Sequence, residues 1–140
     1  MSRALGIDLG EARIGLAISD ELGMLAHPLE TVRVRETPDV ISHIVAIAAR
    51  DGVNVIVVGL PRNMDGSYGP AAEKARAFAE KLRAKTSAEI KLWDERLTSL
   101  AAQKALHEAG LNTKKSRPIL DQVAAQLILQ GYLDRWQPAP

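Results

Sequence analysis

Apolar residues first alternate with polar or small ones and later recur at helical spacing, and the changes of period divide the chain into elements. Residues 3–8 and 12–19 read as the strands of a hairpin. A third β-rich run, 24–32, pairs with it, with Gly23 at the turn and His27-Pro28 tolerated on an edge strand. Thr37 offers an N-cap with Pro38 at the first helical position. Val40, Ile41, Ile44, Val45, Ile47 and Ala48 follow at helical spacing, and Gly52 stops that helix. Residues 54–59 form a continuous apolar run, the pattern of a strand covered on both faces. A polar loop over 60–69 leads to a helix opened by Pro70, with Ala71, Ala75, Phe78, Ala79 and Leu82 on its inner face. A short strand over 89–93 ends in Asp94-Glu95-Arg96. A helix over 97–109, closed by Gly110, precedes a basic loop at 112–118, a last helix over about 119–134, and a tail at 136–140 expected to fray.

The order β-β-β-α-β-α-β-α-α predicts an α/β fold: a meander feeding βαβ units, hence a mixed sheet flanked by helices with right-handed crossovers. Ligands of such sheets gather at the carboxyl ends of the parallel strands. Asp8 and the Asp94-Glu95 pair both fall at such ends.

At 140 residues the chain fits one domain, 1–140, and its 46% hydrophobic and 25% charged residues are those of an ordinary soluble protein. Cysteine is absent, which excludes disulfides, thiolate metal sites and cysteine nucleophiles and agrees with a cytoplasmic location. The chain enters a strand at once, with no signal-peptide core and no run long enough to span a bilayer, so no membrane partner is expected. A net charge of +1 makes any nucleic-acid surface a local one.

Three acids carry the candidate chemistry: Asp8 at the end of the first strand, Glu95 after the last one, and Asp121 in the first turn of the final helix. Each has a plain structural alternative. Asp8 suits a turn, Glu95 can pair with Arg96, and Asp121 suits a helix dipole. Three acids converging on one sheet edge repel one another unless a cation lies among them. Oxygen donors without cysteine favour Mg²⁺ or Mn²⁺ over Zn²⁺, a set suited to metal-assisted phosphodiester hydrolysis. Gly10 beside Asp8 leaves the backbone open to close approach by a metal or phosphate. Arg13 and Arg96 flank two of the acids, as phosphate forks or as their ion-pair partners. The loop around Asn63 with the following helix N-terminus suits a phosphate cradle or a structured turn. Lys114, Lys115 and Arg117 precede Asp121 and suit guidance of nucleic acid, or simple solvation. Few aromatics argue against a base-stacking platform, and His27, His43 and His107 fit no triad or ligand spacing.

Four blocks resemble the YqgF (RuvX) family, predicted Holliday junction resolvases and pre-16S rRNA processing nucleases of the RNase H-like superfamily. They are Gly6-Ile-Asp8-Leu-Gly10 with Arg13-Ile-Gly15 and Ser19-Asp20; Val58-Gly59-Leu60-Pro61 with Asn63-Met64-Asp65-Gly66-Ser67 and Gly69-Pro70; Asp94-Glu95-Arg96-Leu97-Thr98-Ser99; and Asp121 with Ala124-Ala125 and Ile128-Leu129. The resemblance implies a five-stranded mixed sheet in the order 3-2-1-4-5, with Asp8, Glu95 and Asp121 as metal-binding catalytic acids. Ala124 stands where junction resolvases of the superfamily often carry a second acid, and Gln122 where small residues are common.

The leading expectation is a metal-dependent nuclease that processes the 5′ end of pre-16S rRNA, as monomer or homodimer. Its alternative is a Holliday junction resolvase. A nucleotide-closing ATPase with the same first strand pair needs two such domains, more than this length holds. A non-catalytic RNA-binding ribosome-assembly factor is the third possibility.

Overall fold

In β1 (Arg3–Leu9) and β2 (Arg13–Ser19), alternation puts large residues on one side of the chain and small ones on the other. The two strands pair antiparallel, with Asp8 opposite Gly15. A computed structural model describes residues 3–63, 65–95 and 117–136. In it β3 (Ala26–Arg33) pairs antiparallel with β2, β4 (Val53–Leu60) runs parallel to β1, and β5 (Glu89–Asp94) runs parallel to β4. The result is a five-stranded sheet in the order β3-β2-β1-β4-β5, as the resemblance implies.

The two faces differ in the size of their side chains. Leu5, Ile7, Ile14, Leu16, Ile56 and Val58 are buried on one face against α1 (Val40–Arg50) and α2 (Pro70–Arg83). The opposite face carries Ala4, Gly6, Gly15 and Ala17, so the last helix, α3 (Arg117–Trp136), lies on it at backbone distance. Ala125, Ile128, Leu129, Tyr132 and Leu133 of α3 are buried there with Val57 and Trp93. The closest approach is at Gly15, where a Cβ would stand 1.9 Å from the Asp121 carbonyl oxygen. Burial of Ile56, Val57 and Val58 in succession matches the continuous apolar pattern of β4.

Several expected details differ. The N-cap of α1 is Asp39, whose carboxylate accepts from the Ser42 amide at 3.1 Å; the Thr37 hydroxyl instead donates to the Arg33 carbonyl at 2.9 Å. A charged acceptor at a helix N-terminus outcompetes a hydroxyl two residues earlier. Ala72, not Ala71, faces the core from α2. The final helix begins at Arg117, ahead of Pro118, because a proline in the first turn removes no needed N–H. Asp121 therefore sits in the second turn, and the first turn carries no acid, which removes the helix-dipole explanation for it. Three glutamines spaced by four on α3 fasten it to the edge strand. Gln122 donates to the Thr31 hydroxyl at 3.1 Å, and Gln126 donates to the Ala26 carbonyl at 2.9 Å. Gln130 accepts from the Ala26 amide at 2.8 Å and donates to the Met24 carbonyl at 3.0 Å. Gln122, where the resemblance makes small residues common, is thus one rung of a ladder that covers polar groups of β3 and of Met24 just before it. The helix expected over 97–109 and the loop 112–116 lie outside the described residues.

Candidate active site

Asp8 points from β1 to the α3 side of the sheet, on the same face as Gly6. Glu95 follows β5 directly and folds back over the end of β4. A Cβ on Gly59 would stand 2.5 Å from its Oε1 and 2.7 Å from Ile128 Cδ1, so the glycine leaves the space the carboxylate fills. Asp8 and Glu95 share a hydrogen bond. Two acids can do this only when one keeps its proton. Burial, the charge of Asp8, its hydrogen bond and the charge of Asp94 push the Glu95 carboxyl up to about 7. Burial also raises Asp8, the Glu95 hydrogen bond offsets part of this, and the charge of Asp121 adds to it.

Asp121 completes the edge from the helix side. Its Oδ2 accepts from Arg13 Nε at 2.8 Å, and its Oδ1 meets no partner among the described residues. Arg13 thus takes the ion-pair alternative rather than standing free for phosphate, and it orients Asp121 the way an outer-shell partner orients a metal ligand. Asp8 and Glu95 touch, while Asp121 acts on Asp8 through its charge. Among the described residues, no three carboxylates or imidazoles are drawn together tightly enough to form a ready-made cation cage.

Other expected contacts are placed differently. Asn63 Nδ2 donates to the Ser67 hydroxyl at 3.0 Å and its amide to the Ser67 carbonyl at 2.9 Å, closing its own loop. Gly10 does not open the backbone to a ligand: a Cβ there would stand 2.4 Å from the Arg13 carbonyl, so it serves the tight turn. Arg117 opens α3, and Arg96, Lys114 and Lys115 lie outside the described residues. Sequence reading missed Arg62. Its Nε and Nη2 donate to the Gly66 carbonyl and its Nη1 to Asp94 at 3.3 Å, tying the loop after β4 to the end of β5. Its position just past the carboxyl end of a parallel strand was the available signal.

The raised Glu95 carboxyl has a consequence for stability. A carboxyl whose pKa is higher folded than unfolded binds more protons in the native state, so the fold weakens as pH rises from about 4.5 through about 7. In EDTA the thermal midpoint is expected to fall across that window. Glu95→Gln should flatten the decline, as differential scanning calorimetry of both proteins at several pH values would record. A parallel decline in both proteins would contradict the assignment.

A mixed five-stranded sheet in this order with α3 across one face is an RNase H-like fold. It is shared with Thermus thermophilus RuvC solved in complex with a Holliday junction substrate, at 16% identity and a TM-score of 0.62, covering 100% of this chain and 99% of that one. The fowlpox virus Holliday junction resolvase matches at 12% identity and a TM-score of 0.55, covering 95% of this chain and 99% of that one. The chain belongs to the RuvX family, whose model, described as Holliday junction resolvase, matches residues 2–135. Relatives carry the name "Putative pre-16S rRNA nuclease". The one from Halalkalibacterium halodurans is 47% identical over 138 residues, 96% of this chain and 98% of that protein. The one from Moorella thermoacetica is 48% identical over 133 residues, 95% of each.

Proposed function

We propose that this chain is a metal-dependent nuclease that hydrolyses phosphodiester bonds at the 5′ end of pre-16S rRNA in the cytoplasm, as a monomer or homodimer. The observation that carries this reading is the half-buried Asp8–Glu95 pair, hydrogen-bonded where the parallel strands end. Two half-buried carboxylates with a third acid beside them are costly as a purely structural device, whereas a divalent cation would balance their charge. The donor set is all oxygen, which fits Mg²⁺ or Mn²⁺. Asp8, Glu95 and Asp121 are the residues that would hold it, with Asp121 kept in orientation by Arg13. A cation held there supplies Lewis acidity toward a phosphoryl oxygen and an attacking water. Asn63, through its loop, and Arg96, Lys114, Lys115 and Arg117, through their charge, are assigned to the polynucleotide backbone.

A second reading, Holliday junction cleavage, is favoured by the description of the matching family model. End-labelled pre-16S rRNA, unrelated single-stranded RNA and a four-way DNA junction, each incubated with Mn²⁺, Mg²⁺ or EDTA, separate the two. Precursor cleavage in either metal and none in EDTA is the expected result. Preference for the junction would transfer the activity to recombination, and cleavage in EDTA would remove the metal from the mechanism. No cleavage of any substrate would leave a binding factor with a nuclease fold.

A further inference from the structure

On the proposal that this edge cleaves nucleic acid, we infer that Arg76 and Tyr68 form a clamp for the phosphodiester backbone of the incoming strand, with Arg62 as its anchor. Tyr68 is 44% exposed, and the guanidinium carbons of Arg62 and Arg76 each lie 4.5 Å from its ring centroid. Both arginines are therefore held by cation–π contact to one surface ring. Their remaining bonds differ. Arg62 spends Nε, Nη1 and Nη2 on the Gly66 carbonyl and Asp94, one residue before Glu95. It ties the ring to the carboxyl end of β5 and has little left to offer a ligand.

Arg76 bonds Glu73 through Nη1 at 2.6 Å, and its other N–H groups meet no acceptor among the described residues. Neither does the Tyr68 hydroxyl. Arg76 is thus fixed twice, by the ring and by Glu73, yet keeps most of its planar fork unspent at 39% side-chain exposure. A pre-positioned guanidinium beside a phenolic hydroxyl matches the oxygens of a phosphodiester, where fork geometry gives two parallel bonds. Such contacts read the backbone rather than the bases, so they hold position without sequence preference. RNA and DNA present this same chemistry.

Binding, rather than cleavage, tests the clamp. Fluorescence anisotropy in an Asp8→Asn background, with labelled single-stranded RNA and DNA of one sequence over a series of KCl concentrations, reads both affinity and its salt dependence. Arg76→Gln is expected to weaken binding about 5-fold and to reduce the slope of log affinity against log salt by about 0.7, the loss of one phosphate contact. Tyr68→Ala should weaken binding similarly. Arg83→Gln serves as the control, since Arg83 lies further along α2 and pairs with Glu80 in the same three-residue spacing. Equal behaviour of the Arg76 and Arg83 variants in a protein that binds would overturn the clamp alone. A parent that binds neither polymer would overturn the nuclease reading with it. Loss confined to the RNA or the DNA arm supports the clamp and names the polymer it holds.

Discussion

Asp8→Asn is expected to reduce phosphodiester hydrolysis on the order of 10³-fold or more while raising the thermal midpoint of the metal-free protein. The two effects have one cause. Asp8 is half-buried beside Glu95 and within the field of Asp121, so its charge opposes folding in the absence of a cation. Asparagine has nearly the same shape and donates a hydrogen bond to Glu95 in place of the shared proton. Glu95 then loses the charge of Asp8, one of the causes that raise it to about 7. Relief of this repulsion is worth about 1–2 kcal/mol, which for a chain of this size raises the midpoint by roughly 3–6 °C. The rate loss corresponds to about 4 kcal/mol of barrier, because asparagine brings no negative charge to the cation. Stability gained at the expense of activity is the usual sign of a functional site rather than a structural one. Asp8→Ala separates the terms, since it removes the hydrogen bond and leaves a void. Single-turnover cleavage and calorimetry in EDTA measure both. An Asp8→Asn protein that melts below its parent, or cleaves at a tenth of the parent rate, would refute the role given to this carboxylate.

What the sequence makes legible here is what depends on neighbours a few residues away. Alternation in 3–9 and 13–19 and the apolar run in 53–60 are local patterns, and they become β1, β2 and β4 with boundaries shifted by a residue or two. Asp8 at a strand end was readable for the same reason. Arg13 was not. Its partner Asp121 lies 108 residues along the chain, and no spacing rule connects an arginine in a hairpin to an acid in the last helix. Arg62 is similar: its contact with Asp94 exists because β4 and β5 are parallel neighbours, a property of the sheet rather than of either segment. The glycines divide along the same line. Gly52, with φ of 67°, was visible as a helix stop from its local setting. Gly15 looked like an ordinary strand position, and only the docking of α3 reveals why a side chain is excluded there.

That exclusion sets the second large effect: Gly15→Ala is expected to destabilise the protein by about 3 kcal/mol and to lower cleavage more than 10²-fold. The added Cβ would lie 1.9 Å from the Asp121 carbonyl oxygen, 2.4 Å from its carbonyl carbon and 3.1 Å from its Cα. These are backbone atoms of a helix, which cannot turn aside as a flexible side chain can. To reach ordinary contact α3 must retreat by about 1.5 Å, loosening its packing on Ala17 and Val57. Gly15 also stands opposite Asp8 in the β1–β2 ladder, so the same retreat moves Asp121 away from Asp8. Misplacement of about 1 Å is enough to cost two orders of magnitude in rate. Gly52→Ala is the informative control, for it is strained by a positive φ yet has nothing within 4 Å of the new Cβ. It should cost about 1 kcal/mol and leave cleavage per folded molecule unchanged. Urea melts give the stabilities, and saturating-enzyme cleavage rates give the site geometry. If Gly15→Ala matched Gly52→Ala in both measurements, backbone contact between β2 and α3 would not be what places Asp121 beside Asp8.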